Sequence, residues 1–176
     1  MNRIFFLIFL FLLFSSNSFS KNLKFTKILE LKEPWGSTFI NEKELIVTEK
    51  SGKIKIINIT NKNTIEVEHN LNVKEVGQGG LLDIIYNDDF LYVSYSEKRK
   101  DWDTSTSIAK GKFNKKKIYF KNIFQANPPI MSGYHFGSRL AIKDNYLFAS
   151  AGERGKGMIA QDATKHPGSI IRIHLD

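Results

Sequence analysis

The stretch GLLDIIYNDDFLYVSYSE, residues 80–97, decides the fold because two other parts of the chain repeat its layout. It opens on a glycine, runs as a strand of Leu, Ile and Tyr, and turns through Asn87-Asp88-Asp89. It then resumes at Leu91 with a second strand carrying Ser94. GSTFINEKELIVTEKSGKIKIINI (residues 36–59) and GSRLAIKDNYLFASAGERG (residues 137–155) follow the same plan, each with Ser or Thr in the resumed strand. The equivalent leucines are Leu45, Leu91 and Leu147, spaced by 46 and 56 residues. Short β-branched and aromatic runs between polar breaks, with almost no helical periodicity, predict an all-β chain. A several-stranded unit recurring every 40 to 50 residues or so is the signature of a β-propeller blade.

Each unit has a candidate third strand, at residues 53–59, 107–113 and 169–175, and the first two have a fourth, at residues 64–69 and 117–124. The expectation is about three blades and an incomplete ring. Residues 23–31, LKFTKILEL, would suit an outer strand that completes the last blade of a longer chain. A small β-sandwich with similar hairpins is the alternative architecture.

The N-terminus reads differently. Residues 1–20 have the layout of a cleavable secretory signal: Arg3, then an unbroken apolar run over residues 4–14, then Ser18-Phe19-Ser20 as a small-x-small cleavage site. Eleven apolar residues fall well short of the roughly 20 that span a bilayer. The expected mature domain is residues 21–176, periplasmic or secreted, without stable membrane insertion. An uncleaved anchor is the alternative. With no cysteine in the chain, neither disulfides nor a lipid-modified leader is available.

The formal charge of +8 is spread along the chain apart from Lys115-Lys116-Lys117. That run lies near Phe113, Tyr119 and Phe120, but lysines on a strand usually make a solvated face, and an exported protein rarely meets nucleic acid. No nucleic-acid partner is expected.

The chemistry-bearing candidates are few. Gln78 sits among Gly77, Gly79 and Gly80, where the backbone can approach a ligand closely and the amide can donate and accept. The plain alternative is a tight turn with an exposed glutamine. His135 is the one histidine of four in a glycine-flanked turn, and imidazole suits proton transfer near neutral pH. If the strand begins this early, His135, Gly137 and Arg139 share a face, and Arg139 could hold an anionic group. Glu153 stands at a strand end in AGERG. His69 and His174 look like surface or packing positions, His166 is unassigned, and Trp35 and Tyr134 look like packing residues. No His, Cys or carboxylate cluster has metal-ligand spacing, no EF-hand loop is present, and no nucleophile elbow occurs.

Taken together, EPWGSTFINEKELIVTEKSGKIKII, GQGGLLDIIYNDDFLYVSYSE, HFGSRLAIKDNYLFASAGERG and AQDATKHPGSIIRIHLD resemble, in this order, the glucose/sorbosone dehydrogenase family and its soluble aldose sugar dehydrogenases, over residues 34–176. The resemblance implies a six-bladed propeller that binds pyrroloquinoline quinone (PQQ) and calcium at one mouth and oxidises aldoses to lactones in the periplasm. An electron acceptor then reoxidises the cofactor. It implies His135 as general base, Glu153 as the acid that orients it where other members carry Asp, Gln78 beside base and cofactor, and Arg139 in a supporting role on the cofactor side. It also implies that calcium ligands and most cofactor-clamping residues lie in a C-terminal half not in this sequence. This chain then reads as an N-terminal part, neither closing a ring nor holding PQQ tightly alone. A non-catalytic propeller that binds a glycan or protein is the competing reading. If the leader is cleaved as expected, N-terminal sequencing of the exported protein will read Lys21-Asn22-Leu23; an N-terminus at Met1 in the membrane fraction would establish the anchor instead.

Overall fold

The computed structural model describes residues 23–175; the leader expected at residues 1–20 lies outside them. The chain folds into three successive antiparallel sheets, each a blade. The first holds β1 (Pro34–Phe39), β2 (Glu44–Glu49), β3 (Lys53–Asn58) and β4 (Thr64–His69). The second holds β5 (Leu81–Asn87), β6 (Phe90–Lys98), β7 (Thr104–Lys112) and, beyond the two-residue β8 (Lys117–Ile118), β9 (Phe120–Gln125). The third holds β10 (Gly137–Lys143), β11 (Tyr146–Ala151) and β12 (Ser169–His174). β8 pairs parallel to β4 and so ties the second blade's outer turn back to the first blade. Among the described residues no helix is long and apolar enough to cross a membrane.

Strand alternation assigns the side chains to two cores. From β6, Leu91, Val93 and Tyr95 join Ile46, Ile54, Ile56 and Val67 in a core between the first and second blades. Tyr92, on the opposite face, joins Ile108, Leu140, Leu147 and Ala149 between the second and third. The middle blade is therefore apolar on both faces, which explains its near-continuous apolar run. The outward faces of the end blades are different. Phe39 is 56 % exposed and Ile170 is 72 % exposed, and nothing among the described residues covers them, so the ring is not closed. Residues 23–31, expected as an outer strand, form no strand: an isolated segment has no ladder to complete its hydrogen bonds.

One device repeats in every blade. The innermost strands β1, β5 and β10 each carry a register shift near their start, between Pro34 and Ser37, Leu81 and Ile84, and Gly137 and Leu140. A bulge of this kind leaves a backbone N–H without a ladder partner. In each blade the hydroxyl three residues after the landmark leucine takes it: Thr48 Oγ1 accepts from the Gly36 N–H at 2.9 Å, Ser94 Oγ from Asp83 at 3.0 Å, and Ser150 Oγ from Arg139 at 3.0 Å. The first two hydroxyls then donate across to the next blade's inner strand, Thr48 to the Leu82 carbonyl and Ser94 to the Ser138 carbonyl at 2.6 Å. Thr48 and Ser94 are fully buried. Ser94→Ala strands a buried donor and a buried acceptor and is expected to cost about 1–3 kcal/mol in urea unfolding. Ser150→Ala removes only the bond within its own blade and should cost less; equal losses would show that the cross-blade bond contributes nothing.

Candidate active site

The candidate residues converge at the edge where the inner strands begin. Gln78 lies just before β5, His135 just before β10, and Glu153 just after β11. Close backbone approach makes the assembly possible. The Gln78 N–H donates to the Gly133 carbonyl at 2.7 Å, and a β-carbon on Gly77, which sits at φ +54°, would lie 2.4 Å from that same oxygen. A β-carbon on Gly152 would lie 2.0 Å from the His135 carbonyl oxygen. Only glycine lets these two loops press against the histidine turn from either side.

Three side chains then meet. The Gln78 Oε1 accepts the His135 backbone N–H at 2.8 Å, holding a residue whose φ is +47°. The His135 Nδ1 is hydrogen-bonded to Glu153 Oε1, which also accepts the Gly155 N–H at 3.1 Å. An ionised carboxylate can only accept, so Nδ1 carries the proton and Nε2 keeps a lone pair directed away from the pair. The hydrogen bond from His135 holds the Glu153 carboxyl below its ordinary value of 4.5. The histidine side chain is 52 % exposed and the glutamate 27 %, so the imidazole is accessible from solvent.

Arg139 is placed elsewhere than its sequence spacing suggests. β10 begins at Gly137, after His135, and positive φ at His135, Gly137 and Ser138 breaks the alternation that would put His135 and Arg139 on one face. The Arg139 guanidinium instead reaches the Asp83 carboxylate at 3.3 Å, in a cleft of about 230 Å³ lined by Trp35, Asp83, Gly137 and Arg139. Its side chain remains 81 % exposed. Trp35 and Tyr134, expected as packing residues, are 48 % and 62 % exposed. Expected as a surface or packing position, His69 bonds the Gly52 carbonyl through Nε2 at 2.6 Å. His166, unassigned from sequence, accepts the Asn127 N–H at 2.9 Å.

Two further residues hold this geometry without standing among the sequence candidates. Asp83, 5 % exposed, accepts the Leu140 N–H at 2.8 Å and bridges the second and third blades; an acid inside the apolar run LLDII was the available clue. Arg154, 2 % exposed, donates to the Tyr134 carbonyl at 3.0 Å, to the Thr104 carbonyl at 3.1 Å, to Thr104 Oγ1 at 2.7 Å and to the Ser132 carbonyl. It stacks on Phe136 at 3.6 Å. Burial brings its pKa down to about 10, still high enough to keep it charged at neutral pH. This guanidinium is the internal brace of the loop that carries His135.

Three successive blades that do not close, with a carboxylate-paired histidine at the edge where the inner strands begin, are part of a β-propeller. Comparison with known proteins places the chain further: the family model described as Glucose / Sorbosone dehydrogenase matches residues 31–176, and the chain belongs to that family. It is similar to the aldose sugar dehydrogenase YliI of Escherichia coli (strain K12), 29 % identical over 154 residues, which cover 82 % of this chain and 42 % of that protein. The crystal structure of the soluble aldose sugar dehydrogenase from Escherichia coli in the apo-form superposes with a TM-score of 0.77 at 27 % identity, covering 82 % of this chain and 44 % of that one. The PQQ-bound form of an aldose sugar dehydrogenase from Streptomyces coelicolor shares the fold, with a TM-score of 0.73 at 22 % identity over 82 % of this chain and 45 % of that one. The chain thus spans less than half the length of these relatives.

Because the pKa of Glu153 is depressed, its bond to His135 contributes stability above the ordinary glutamate range and loses it as pH falls through the folded value. A ¹³C NMR titration should place the Glu153 midpoint below 4.5, and His135→Ala should move it up; an unchanged midpoint would remove His135 as the cause.

Proposed function

We propose that this site belongs to a PQQ-dependent aldose dehydrogenase acting outside the cytoplasm, converting the anomeric C–OH of a sugar into a lactone. The observation that carries the reading is the pairing of His135 Nδ1 with Glu153, which leaves Nε2 as the base of a solvent-accessible imidazole. Since three blades do not close a ring, the activity is proposed for the ring these blades help to build.

The oxidation removes a hydride from the anomeric carbon and a proton from its hydroxyl. His135 Nε2 accepts that proton. As the ring becomes imidazolium, the Glu153 carboxylate stabilises its charge and keeps its orientation. Gln78 holds the His135 backbone, and its amide nitrogen remains available to a bound oxygen. When bound, PQQ supplies the two-electron acceptor for the hydride.

The donor set suits such a group. PQQ is a flat tricarboxylate, and the blades present an exposed Arg139 guanidinium beside an open cleft; the Gln78 amide stands at the histidine turn. Arg139 would take a carboxylate and Gln78 a carbonyl or carboxyl oxygen. Among the described residues no group of three or more His, Cys, Asp or Glu able to hold a metal occurs; calcium would be held by the part of the ring outside these blades. A small-molecule sugar and a separate electron acceptor complete the proposed cycle.

In a complete ring, sugar-dependent dye reduction should require added PQQ and calcium. His135→Ala should lower kcat by about 10²- to 10⁴-fold with the fold intact by circular dichroism. Unchanged turnover would take His135 out of the reaction, and a ring inert under all these additions would favour a binding module.

A further inference from the structure

Beside the histidine turn lies a second cleft, of about 370 Å³, lined by Lys74, Glu75, Val76, Trp102, Met131, Ser132 and Gly133. We propose that it is a subsite for the distal pyranose units of a neutral oligosaccharide whose reducing-end aldose faces His135. The inference rests on the reading of His135 as the site of aldose oxidation.

Trp102 carries the argument. It stands at the tip of the β6–β7 hairpin and is 73 % exposed, with Met131 at 69 % in the same cleft. Large apolar side chains gathered at a cleft rather than scattered mark a binding surface. This one is rigid. The hairpin turn is closed by Arg99 N–H to the Asp103 carbonyl at 2.9 Å and Asp103 N–H to Lys100 at 3.1 Å. Directly below it, Thr104 and Ile130 exchange two backbone hydrogen bonds at 3.2 and 3.0 Å. Arg154 then bonds Thr104, Ser132 and Tyr134 at once. The buried guanidinium therefore joins the turn that presents Trp102 to the turn that presents His135. An aromatic platform held this way costs little ordering on binding.

The chemistry of the lining selects the ligand class. A pyranose offers apolar C–H faces rimmed by hydroxyls, and it needs a flat apolar wall flanked by groups that both donate and accept. Trp102 and Met131 supply the wall. Glu75, Lys74 and Ser132 supply the hydrogen bonds, and the Lys74 ammonium lies 5.4 Å from the indole centroid. One cation and one carboxylate leave the lining without net charge, which suits an uncharged polyol over an anion. Position agrees: Gly133 lines the cleft and precedes His135 by two residues, a Cα separation of at most about 7 Å. In the proposal, the sugars beyond the reducing-end unit at His135 occupy this adjoining cleft, where Trp102 stands.

The test uses tryptophan fluorescence of this chain, with Trp35→Phe so that Trp102 is the only indole, titrated with maltotriose, cellotriose and glucose in the absence of PQQ. A saturable response to a trisaccharide in the roughly millimolar range, stronger than to glucose, is expected. Met131→Ala should weaken it, and by calorimetry Trp102→Ala should weaken trisaccharide binding by about tenfold while Trp102→Phe retains most of it. No trisaccharide response, or calorimetric binding indifferent to Trp102→Ala, overturns the subsite. A second readout separates this from the oxidation reading. In a complete ring, Trp102→Ala should lower the ratio of kcat/KM for trisaccharide over glucose. An unchanged ratio in an active ring sinks the subsite alone. Trisaccharide binding lost in Trp102→Ala, in a ring that oxidises nothing, leaves the subsite standing and removes the oxidation.

Discussion

A buried hydroxyl that is shared between two blades is the constraint on which this structure depends. Each inner strand begins with a bulge, and the freed backbone N–H is taken by Thr48 or Ser94, which donates onward to the neighbouring blade. Apolar packing between blades is non-directional and would tolerate sliding. The hydroxyls do not, because any slip leaves a buried donor and acceptor unmet. They align the starts of β5 and β10 along one edge, and that edge is where Gln78 and His135 stand. The order of the mouth is thus a consequence of polar bonds made inside an otherwise apolar seam.

Arg154 extends that order to the loops. Burying a guanidinium is costly unless its donors are met, and here they are met by two other segments of backbone, at Thr104 and at Ser132 and Tyr134. Because the charge can be satisfied only when those segments are together, the hairpin carrying Trp102, the turn carrying His135 and the strand end carrying Glu153 become one unit. The same unit supplies the proposed base and the proposed sugar platform. Its two close approaches, at Gly77 and Gly152, leave no room for a side chain, so the unit is set by sterics as well as by charge.

The blade plan was readable before any coordinates because a blade is local: strand, turn, strand recur within about 50 residues, and period-2 alternation reports which face is buried. GQGG, HFGSR and AGERG marked His135, Gln78 and Glu153, glycine runs being legible where backbones must touch. A shared face for His135 and Arg139 requires a strand that begins at His135. The strand starts two residues later, and left-handed residues before Arg139 turn its side chain toward Asp83. The leading segment 23–31 had strand composition but no ladder to join.

By itself, then, the sequence determined the repeat, the all-β class, the family and the residue types at the mouth, since these depend on local propensity and on motifs within single turns. Only the tertiary structure decided that Gln78 holds His135 across 57 positions of chain, that Asp83 bridges two blades, and that Arg154 ties two other segments to its own. It likewise decided that Trp102 faces an open cleft instead of a core. Contacts of that kind join segments distant in sequence, and no periodicity records them. They are set by which backbone groups are left unpaired once the blades have packed.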